Sequence, residues 1–411
     1  MITSDDLARR CHADTEFRMA ARHWNGGFYF DIDGNVASVV VTDGVARAGA
    51  LDDGAGVVGL AGPAAIWDPI LSAVPPRFLN DIGFAEALGM KRTGDDLTYW
   101  QYYPAIMRAV EVMRPAAAVA ATVPVTSARY DSPVGRYVHV ELDGHDHRIY
   151  FEEAGQGIPL LMQHTAGSHG AQWRHLFEDT RITEQFRLIA YDLPFHGKSV
   201  PPVSKSWWAD EYRLTQANAM ALAVTMAQTL ELDRPVFMGC SVGGLLALDL
   251  ARYHPEQFRA VIALEPALKV DVDIDTLQGF WHPQVSNEYK SRLMNALMAP
   301  QSPEPLRRET LWAYSSGWPP AFLGDLYYYL VDHDLTEEAA AIDTKKIGVH
   351  LLTGEYDASA TIEHGQAVHD AIAGSTFTVM NGVGHFPMSE NPQEFLSHLV
   401  PVLEGIRATG R

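Results

Sequence analysis

The chain has 411 residues, more than one ordinary hydrophobic core organises, so two domains are expected. Its composition, 47% hydrophobic and 20% charged, supplies material for a large core and excludes wholesale disorder. A formal net charge of -20, with no run of Lys or Arg, argues against phosphate backbones and anionic membranes as partners. Two cysteines, Cys11 and Cys240, offer no disulfide framework. The acidic start lacks an apolar targeting segment and no later run is long enough to span a bilayer, so a cytoplasmic protein without membrane insertion is expected. Composition leaves self-association as a homo-oligomer open.

From Ser4 to Arg22 the pattern is amphipathic, with Asp5 and Asp6 at the start and Leu7, Cys11 and Phe17 at near-helical spacing, which predicts a helix. Residues 27–41 read as two strands joined by an Asp-Gly-Asn turn, with further strands near 45–50 and 56–61. After Gly62-Pro63, helices are predicted over 64–71 and 76–88, a strand over 90–99 and a helix over 102–113. On Phe28-Tyr29-Phe30 with its hairpin, Gly62-Pro63 before Trp67, and Gly94-Asp95 followed by Tyr99, Tyr102 and Tyr103, this stretch resembles sterol-carrier-like (SCP2-like) domains. The resemblance implies an apolar ligand surface; the plainer reading is that the aromatics fill a small core. The small, proline-bracketed segment 115–134 reads as a linker, so the expected domains are 1–114 (α+β), the linker, and 135–411.

Beyond the linker, strands are expected at 136–142 and 147–152 through an Asp143-Gly144 turn, then at 159–163 and 186–192, and strand-loop-helix alternation continues to the end, the pattern of a doubly wound α/β sheet. The apolar run from Val236 meets Gly239-Cys240-Ser241-Val242-Gly243 and continues as a helical pattern, which places Ser241 on a sharp strand-to-helix turn. That pentapeptide alone is a weak signal. It gains weight from Gly354-Glu355-Tyr356-Asp357 after one late apolar strand and from Gly382-Val383-Gly384-His385 after another.

With these landmarks in this order, residues 136–407 resemble the α/β-hydrolase family, apart from a middle insertion. The resemblance implies a mostly parallel, doubly wound sheet under a helical cap, and a triad of Ser241, Asp357 and His385. His164-Thr165-Ala166-Gly167-Ser168 aligns with the family's oxyanion loop, so Ala166 and Val242 are the expected backbone donors; Thr165 departs from the usual glycine. His164 is expected to be a structural hydrogen-bonding residue, and Cys240 a packing residue. Asp192-Leu193-Pro194-Phe195-His196-Gly197-Lys198-Ser199 resembles a family turn with Phe195 in place of a glycine.

The insertion, at about 267–342, is rich in aromatics and is expected to be a mostly helical cap, with Trp281, Trp312 and Trp318 joining Thr165 and Phe195 around an apolar substrate. The expected reaction is cleavage of a bulky, apolar or aromatic ester or lactone through an acyl-serine. A carbon-carbon bond hydrolase of the same fold and a non-catalytic binding protein on this scaffold are the alternatives. His145 and His147 merely flank a turn, and no phosphate loop or flavin motif occurs, so neither a metal nor a cofactor is expected.

Overall fold

The computed structural model describes residues 2–51, 54, 56–116 and 130–409; most of the expected linker lies outside them. The chain divides into two compact units, one of Met1–Ala120 with Gly279–Gln301 and one of Ala121–Gln278 with Ser302–Arg411. The expected cap at 267–342 is therefore not one piece, because its stretch 279–301 folds with the N-terminal segment.

In the first unit, β1 (Asn25–Ile32), β2 (Asn35–Thr42), β3 (Val45–Ala48), β4 (Val57–Gly62) and β5 (Lys91–Thr93) form a sheet in the order β3-β2-β1-β4-β5. The β1–β4 pair is parallel and the others antiparallel. Alternation sends Phe28 and Phe30 of β1 and Ala37, Val39 and Val41 of β2 into the core. There Phe30 meets Trp67 at 5.0 Å and Phe28 meets Trp24 at 5.8 Å. Both indoles are satisfied by backbone carbonyls, Trp24 by Gly56 at 2.8 Å and Trp67 by Asp31 at 3.1 Å, as expected of core aromatics.

The helix expected over 76–88 shortens to Ile82–Ala85 with a 3-10 turn at Glu86–Leu88, and two further expectations for this unit fail for local reasons. Asp14 breaks the first helix into Ser4–Ala13 and Thr15–Ala20, because its carboxylate caps the second by accepting the Phe17 N–H at 2.8 Å. The strand expected over 90–99 shrinks to β5, since Asp95 accepts the Thr98 N–H at 2.9 Å and starts a helix, Asp96–Glu111. That helix buries Tyr99, Tyr103, Ile106, Met107 and Val110 on one face.

The returning stretch completes this core. The helix Asn287–Met294 sets Tyr289 edge-on to Tyr103 at 5.4 Å, and Asn80 Nδ2 donates to the carbonyls of Ala296 (2.6 Å) and Met298 (3.2 Å). Arg292 pairs with Glu111. The aromatic content of this insertion does not indicate which core will receive any one stretch of it.

In the second unit, β6 (Val134–Leu142), β7 (His145–Gly155), β8 (Ile158–Gln163), β9 (Phe186–Tyr191), β10 (Val236–Cys240), β11 (Ala260–Leu264), β12 (Gly348–Gly354) and β13 (Thr376–Met380) form an eight-stranded sheet. Its order is β13-β12-β11-β10-β8-β9-β7-β6. From β8 to β13 the pairs are parallel, while β7 runs antiparallel to β6 and β9. Every residue of β10 and β11 is buried, as a sheet covered on both faces requires. From β8 the chain winds outward to β9 and then returns to lay β10 on the other side of β8. This reversal opens a crevice at the carboxyl ends of β8 and β10, where open α/β sheets bind ligands. Among the described residues, no helix is long and apolar enough to cross a membrane.

Candidate active site

Ser241 sits at that crevice, between β10 and the helix Val242–Tyr253, with φ 59° and ψ -116°. Its N–H donates to Leu264 O at 3.0 Å and its carbonyl accepts the Leu245 N–H at 2.9 Å, so the strained turn is fixed from both sides. The flanking glycines are steric necessities. A Cβ on Gly239 would lie 2.3 Å from Gly243 O, and one on Gly244 would lie 2.1 Å from Leu264 O.

Asp357 follows β12 and is wholly buried. Its Oδ1 accepts the N–H groups of Ser359 (2.7 Å) and Ala360 (3.1 Å), leaving Oδ2 to meet His385 Nδ1 at 2.7 Å. His385 follows β13 on a loop pressed against the end of β12, where a Cβ on Gly354 would come within 2.4 Å of Gly384 O. Glu355 points away from the imidazole and accepts the Gly382 N–H at 2.8 Å, which ties down the same loop. Cys240 is buried and donates to the His385 carbonyl at 3.1 Å, so the residue before Ser241 holds the backbone of the histidine. Burial pushes the Cys240 thiol well above its ordinary value, as suits a packing residue.

Two of the backbone N–H groups in the residues after Ser241 and after β8 have no acceptor among the described residues. One is Val242, in the first turn of its helix, where no intrahelical acceptor exists. The other is Ala166 in the loop after β8, flanked by Thr165, whose N–H goes to Gln172 Oε1 at 3.1 Å, and Gly167, whose N–H goes to Asp325 Oδ2 at 2.8 Å. His164 is structural: its Nδ1 donates to Thr165 O at 2.7 Å and its Nε2 accepts the Leu193 N–H at 3.0 Å. Burial holds it neutral, its pKa well below the ordinary value.

The aromatic residues expected around a substrate separate. Phe195 keeps the left-handed φ of 72° that a glycine would adopt freely, and its ring stacks on Trp318 at 5.7 Å. Both line a cavity of about 530 Å³ together with Trp207, His169, Glu152 and Lys198, and none of Ser241, Asp357 and His385 lines it. Thr165 and Trp312 do not line it either. The Thr165 hydroxyl is bonded to Tyr314 Oη at 2.5 Å, and Trp312 is 73% exposed. Trp281 belongs to the other unit and is 45% exposed. An aromatic run cannot tell which of its rings face inward.

Three residues of the site escaped the sequence reading. Tyr329 Oη lies 3.0 Å from the Oγ of Ser359, whose backbone N–H is held by Asp357. Tyr329 sits in a π-helical turn, Tyr328–Asp332, a local irregularity often found at functional sites. Glu265, at the end of β11 with φ 56°, is wholly buried, and both its oxygens lie 3.0 Å from the Gly354 N–H. Burial first, and the Asp357 carboxylate next, push its pKa well above the ordinary range, so it stands protonated. Asp325 is wholly buried in the helix Pro319–Tyr327. Only Glu265 left a signal, a charge abutting an apolar strand. Among the described residues no group of three or more His, Cys, Asp or Glu is arranged to hold a metal ion.

Residues 158–392, more than half of the chain, match the family described as alpha/beta hydrolase fold. The chain is 21% identical over 272 residues to a pimeloyl-(acyl-carrier protein) methyl ester esterase of Vibrio vulnificus, covering 61% of this chain and 96% of that protein. It is 24% identical over 255 residues to 3-oxoadipate enol-lactonase 2 of Acinetobacter baylyi, covering 57% of this chain and 85% of that one. Among solved structures, a thermophilic esterase from Thermogutta terrifontis superposes with a TM-score of 0.57 at 19% identity, covering 66% of this chain and 99% of that one.

Proposed function

The chain belongs to the alpha/beta hydrolase fold family and is a hydrolase, and from that premise we propose that it cleaves carboxylic esters or lactones through an acyl-serine on Ser241. The observation that carries this is the 2.7 Å bond from His385 Nδ1 to a buried Asp357, on a loop whose histidine carbonyl is held by the residue preceding Ser241. Asp357 fixes the imidazole with its proton on Nδ1, which leaves Nε2 as the base for the Ser241 hydroxyl. Attack of Oγ on the substrate carbonyl forms the C–O bond as the proton passes to Nε2. The oxyanion is received by the N–H groups of Ala166 and Val242, two preorganised donors with no other acceptor to lose. Collapse expels the alcohol, which takes the proton back from Nε2, and water repeats the cycle to release the acid.

An ester or lactone is the substrate class we favour; the bulky, apolar or aromatic group rests on the aromatic-rich insertion alone, because the cavity walled by Phe195 and Trp318 is not lined by Ser241, Asp357 or His385. The esterase and enol-lactonase relatives point to the same bond types. A panel of chromogenic esters and lactones, with a fluorophosphonate probe and peptide mapping, tests the reading. Labelling is expected at Ser241, and Ser241→Ala is expected to lose turnover while the fold and substrate binding persist. Hydrolysis retained in that variant would sink the mechanism, and a wild-type chain that binds substrate but neither turns over nor labels would establish the non-catalytic alternative.

The sterol-carrier resemblance of the first segment extends the proposal to an apolar-ligand role for that unit. Deleting residues 1–114 is a poor test, because Tyr289 and Arg292 would lose the core they complete. Titrating the full chain with a fluorescent fatty acid serves instead; no saturable binding leaves the aromatics as core alone.

A further inference from the structure

The loop that carries Ala166 is held in place by the helices Glu304–Ser316 and Pro319–Tyr327 of the same unit. Asp325 is the centre of this support. Its Oδ2 accepts the Gly167 N–H at 2.8 Å and meets His196 Nε2 at 2.9 Å, and its Oδ1 accepts the Tyr212 hydroxyl at 2.9 Å. His196 Nδ1 faces the Pro194 carbonyl at 2.9 Å, so both ring nitrogens point at acceptors and both donate. Burial pulls the His196 pKa down, but the Asp325 carboxylate outweighs it and the net value is raised, which makes a buried ion pair of the two.

The other helix supplies Tyr314, whose hydroxyl bonds Thr165 Oγ1 at 2.5 Å. The fit is close: a Cβ on Gly167, which has φ 62°, would lie 2.7 Å from Phe322 Cβ, and one on Gly317 would lie 3.0 Å from Gly167 O.

A trans peptide points its N–H opposite to its carbonyl, so fixing one fixes the other. The peptide that presents the Ala166 N–H has the Thr165 carbonyl as its other end, and His164 Nδ1 grips that carbonyl at 2.7 Å. The next peptide plane is held by Asp325 through the Gly167 N–H, and the preceding one by Gln172 through the Thr165 N–H. Three consecutive planes are thus pinned, and the Ala166 N–H alone remains unspent. This also accounts for threonine where a glycine was expected: its hydroxyl is the anchor for Tyr314.

We infer that Asp325 is a positioning residue for the oxyanion site, acting through Gly167 with Tyr314 as its companion on Thr165, so that the Ala166 donor is aimed only while these two helices are seated on the loop. The inference rests on Ala166 being an oxyanion donor to a Ser241 nucleophile.

The test uses the full chain with Asp325→Leu, Asp325→Asn and Tyr314→Phe, read by kcat and KM on a chromogenic ester and by affinity for a trifluoromethyl ketone. Such a ketone forms an oxyanion-bearing adduct with the serine. Loss of one well-aimed oxyanion donor costs about 100-fold in kcat. Asp325→Leu is therefore expected to lower kcat about 100-fold and ketone affinity by a similar factor, with KM within about threefold. Asp325→Asn keeps an oxygen for the Gly167 N–H and is expected to restore most of both. Tyr314→Phe, which opens no cavity, is expected to lose about tenfold in kcat at unchanged KM, and it decides the matter should Asp325→Leu not fold. Wild-type kcat in Tyr314→Phe and in whichever Asp325 variants fold overturns the inference. So does a loss confined to KM, or a loss in Asp325→Asn equal to that in Asp325→Leu. Absence of fluorophosphonate labelling at Ser241 in the wild-type chain is a different failure, since it removes the serine-hydrolase reading beneath the inference.

Discussion

Replacing Glu111 by Gln removes the charge on which the returning stretch 279–301 is seated. Burial alone would raise the Glu111 pKa, yet Arg292, then Arg114 and Arg108, overcome it and hold the carboxyl at about 2 against an ordinary 4.5. At about 1.4 kcal/mol per tenfold change in proton affinity, that interval corresponds to roughly 3 kcal/mol of stability for a side chain only 15% exposed. The sign follows from the depressed folded value: the contribution is complete above pH 4.5 and is lost as pH falls through about 2. At pH 7, Glu111→Gln is expected to destabilise the first unit by roughly 3 kcal/mol relative to wild type, and the gap is expected to close as pH approaches 2. Hydrogen exchange is the assay, because it reports the helices Asp96–Glu111 and Asn287–Met294 separately from the second unit. Both helices are expected to lose protection together at pH 7. A gap independent of pH, or loss in one helix without the other, would refute the reasoning.

Other expectations follow from the site. Glu265→Gln replaces a carboxyl held neutral by burial and by Asp357 with a neutral group of the same shape, so kcat is expected to stay within about threefold. Because its folded pKa is raised, wild-type Glu265 contributes stability that is complete below its unfolded value and declines with rising pH. The glutamine variant is therefore expected to gain on wild type between pH 5 and 8 in urea denaturation, and a flat difference would contradict a protonated Glu265. Gly354→Ala places a methyl 2.4 Å from Gly384 O and must displace the loop that holds His385. A kcat loss of at least tenfold, out of proportion to the change in Tm, is expected; near-wild-type turnover would show that the loop tolerates the shift.

The sequence made the elbow legible because a strand, a small-residue turn and a helix each leave a local pattern, and the glycine at 239 is demanded by its contact with Gly243, four residues on. Asp357 and His385 were legible for the same reason, each lying just past an apolar strand. The supports around them were not. Acidic residues are mostly exposed, so nothing near Asp325 in the chain announces a wholly buried carboxyl, and at Glu265 only the apolar strand before it hints at one; what keeps each inside is a donor far away in sequence. Asp95 is the contrary case, a cap whose target lies three residues on, so its signal was present in the chain next to Gly94 and Asp96. The assignment of 279–301 was out of reach, since Tyr289 and Arg292 state only that one face of a helix is buried.

That same stretch imposes a schedule on biosynthesis. Asn80 waits for a partner 216 residues further along the chain. At about 5–20 residues per second, a ribosome needs roughly 10–40 s to travel from Glu111 to Arg292. Throughout that interval the nascent first unit has Tyr103 uncovered and Glu111 without Arg292, the strongest of its cation partners. A half-built core is exposed to solvent while most of the neighbouring sheet is still being made. The closing contacts are also among the costliest in loop entropy, so a truncated or stalled chain leaves the first unit open and available to chaperones, and its folding yield becomes a property of translation speed as well as of final stability.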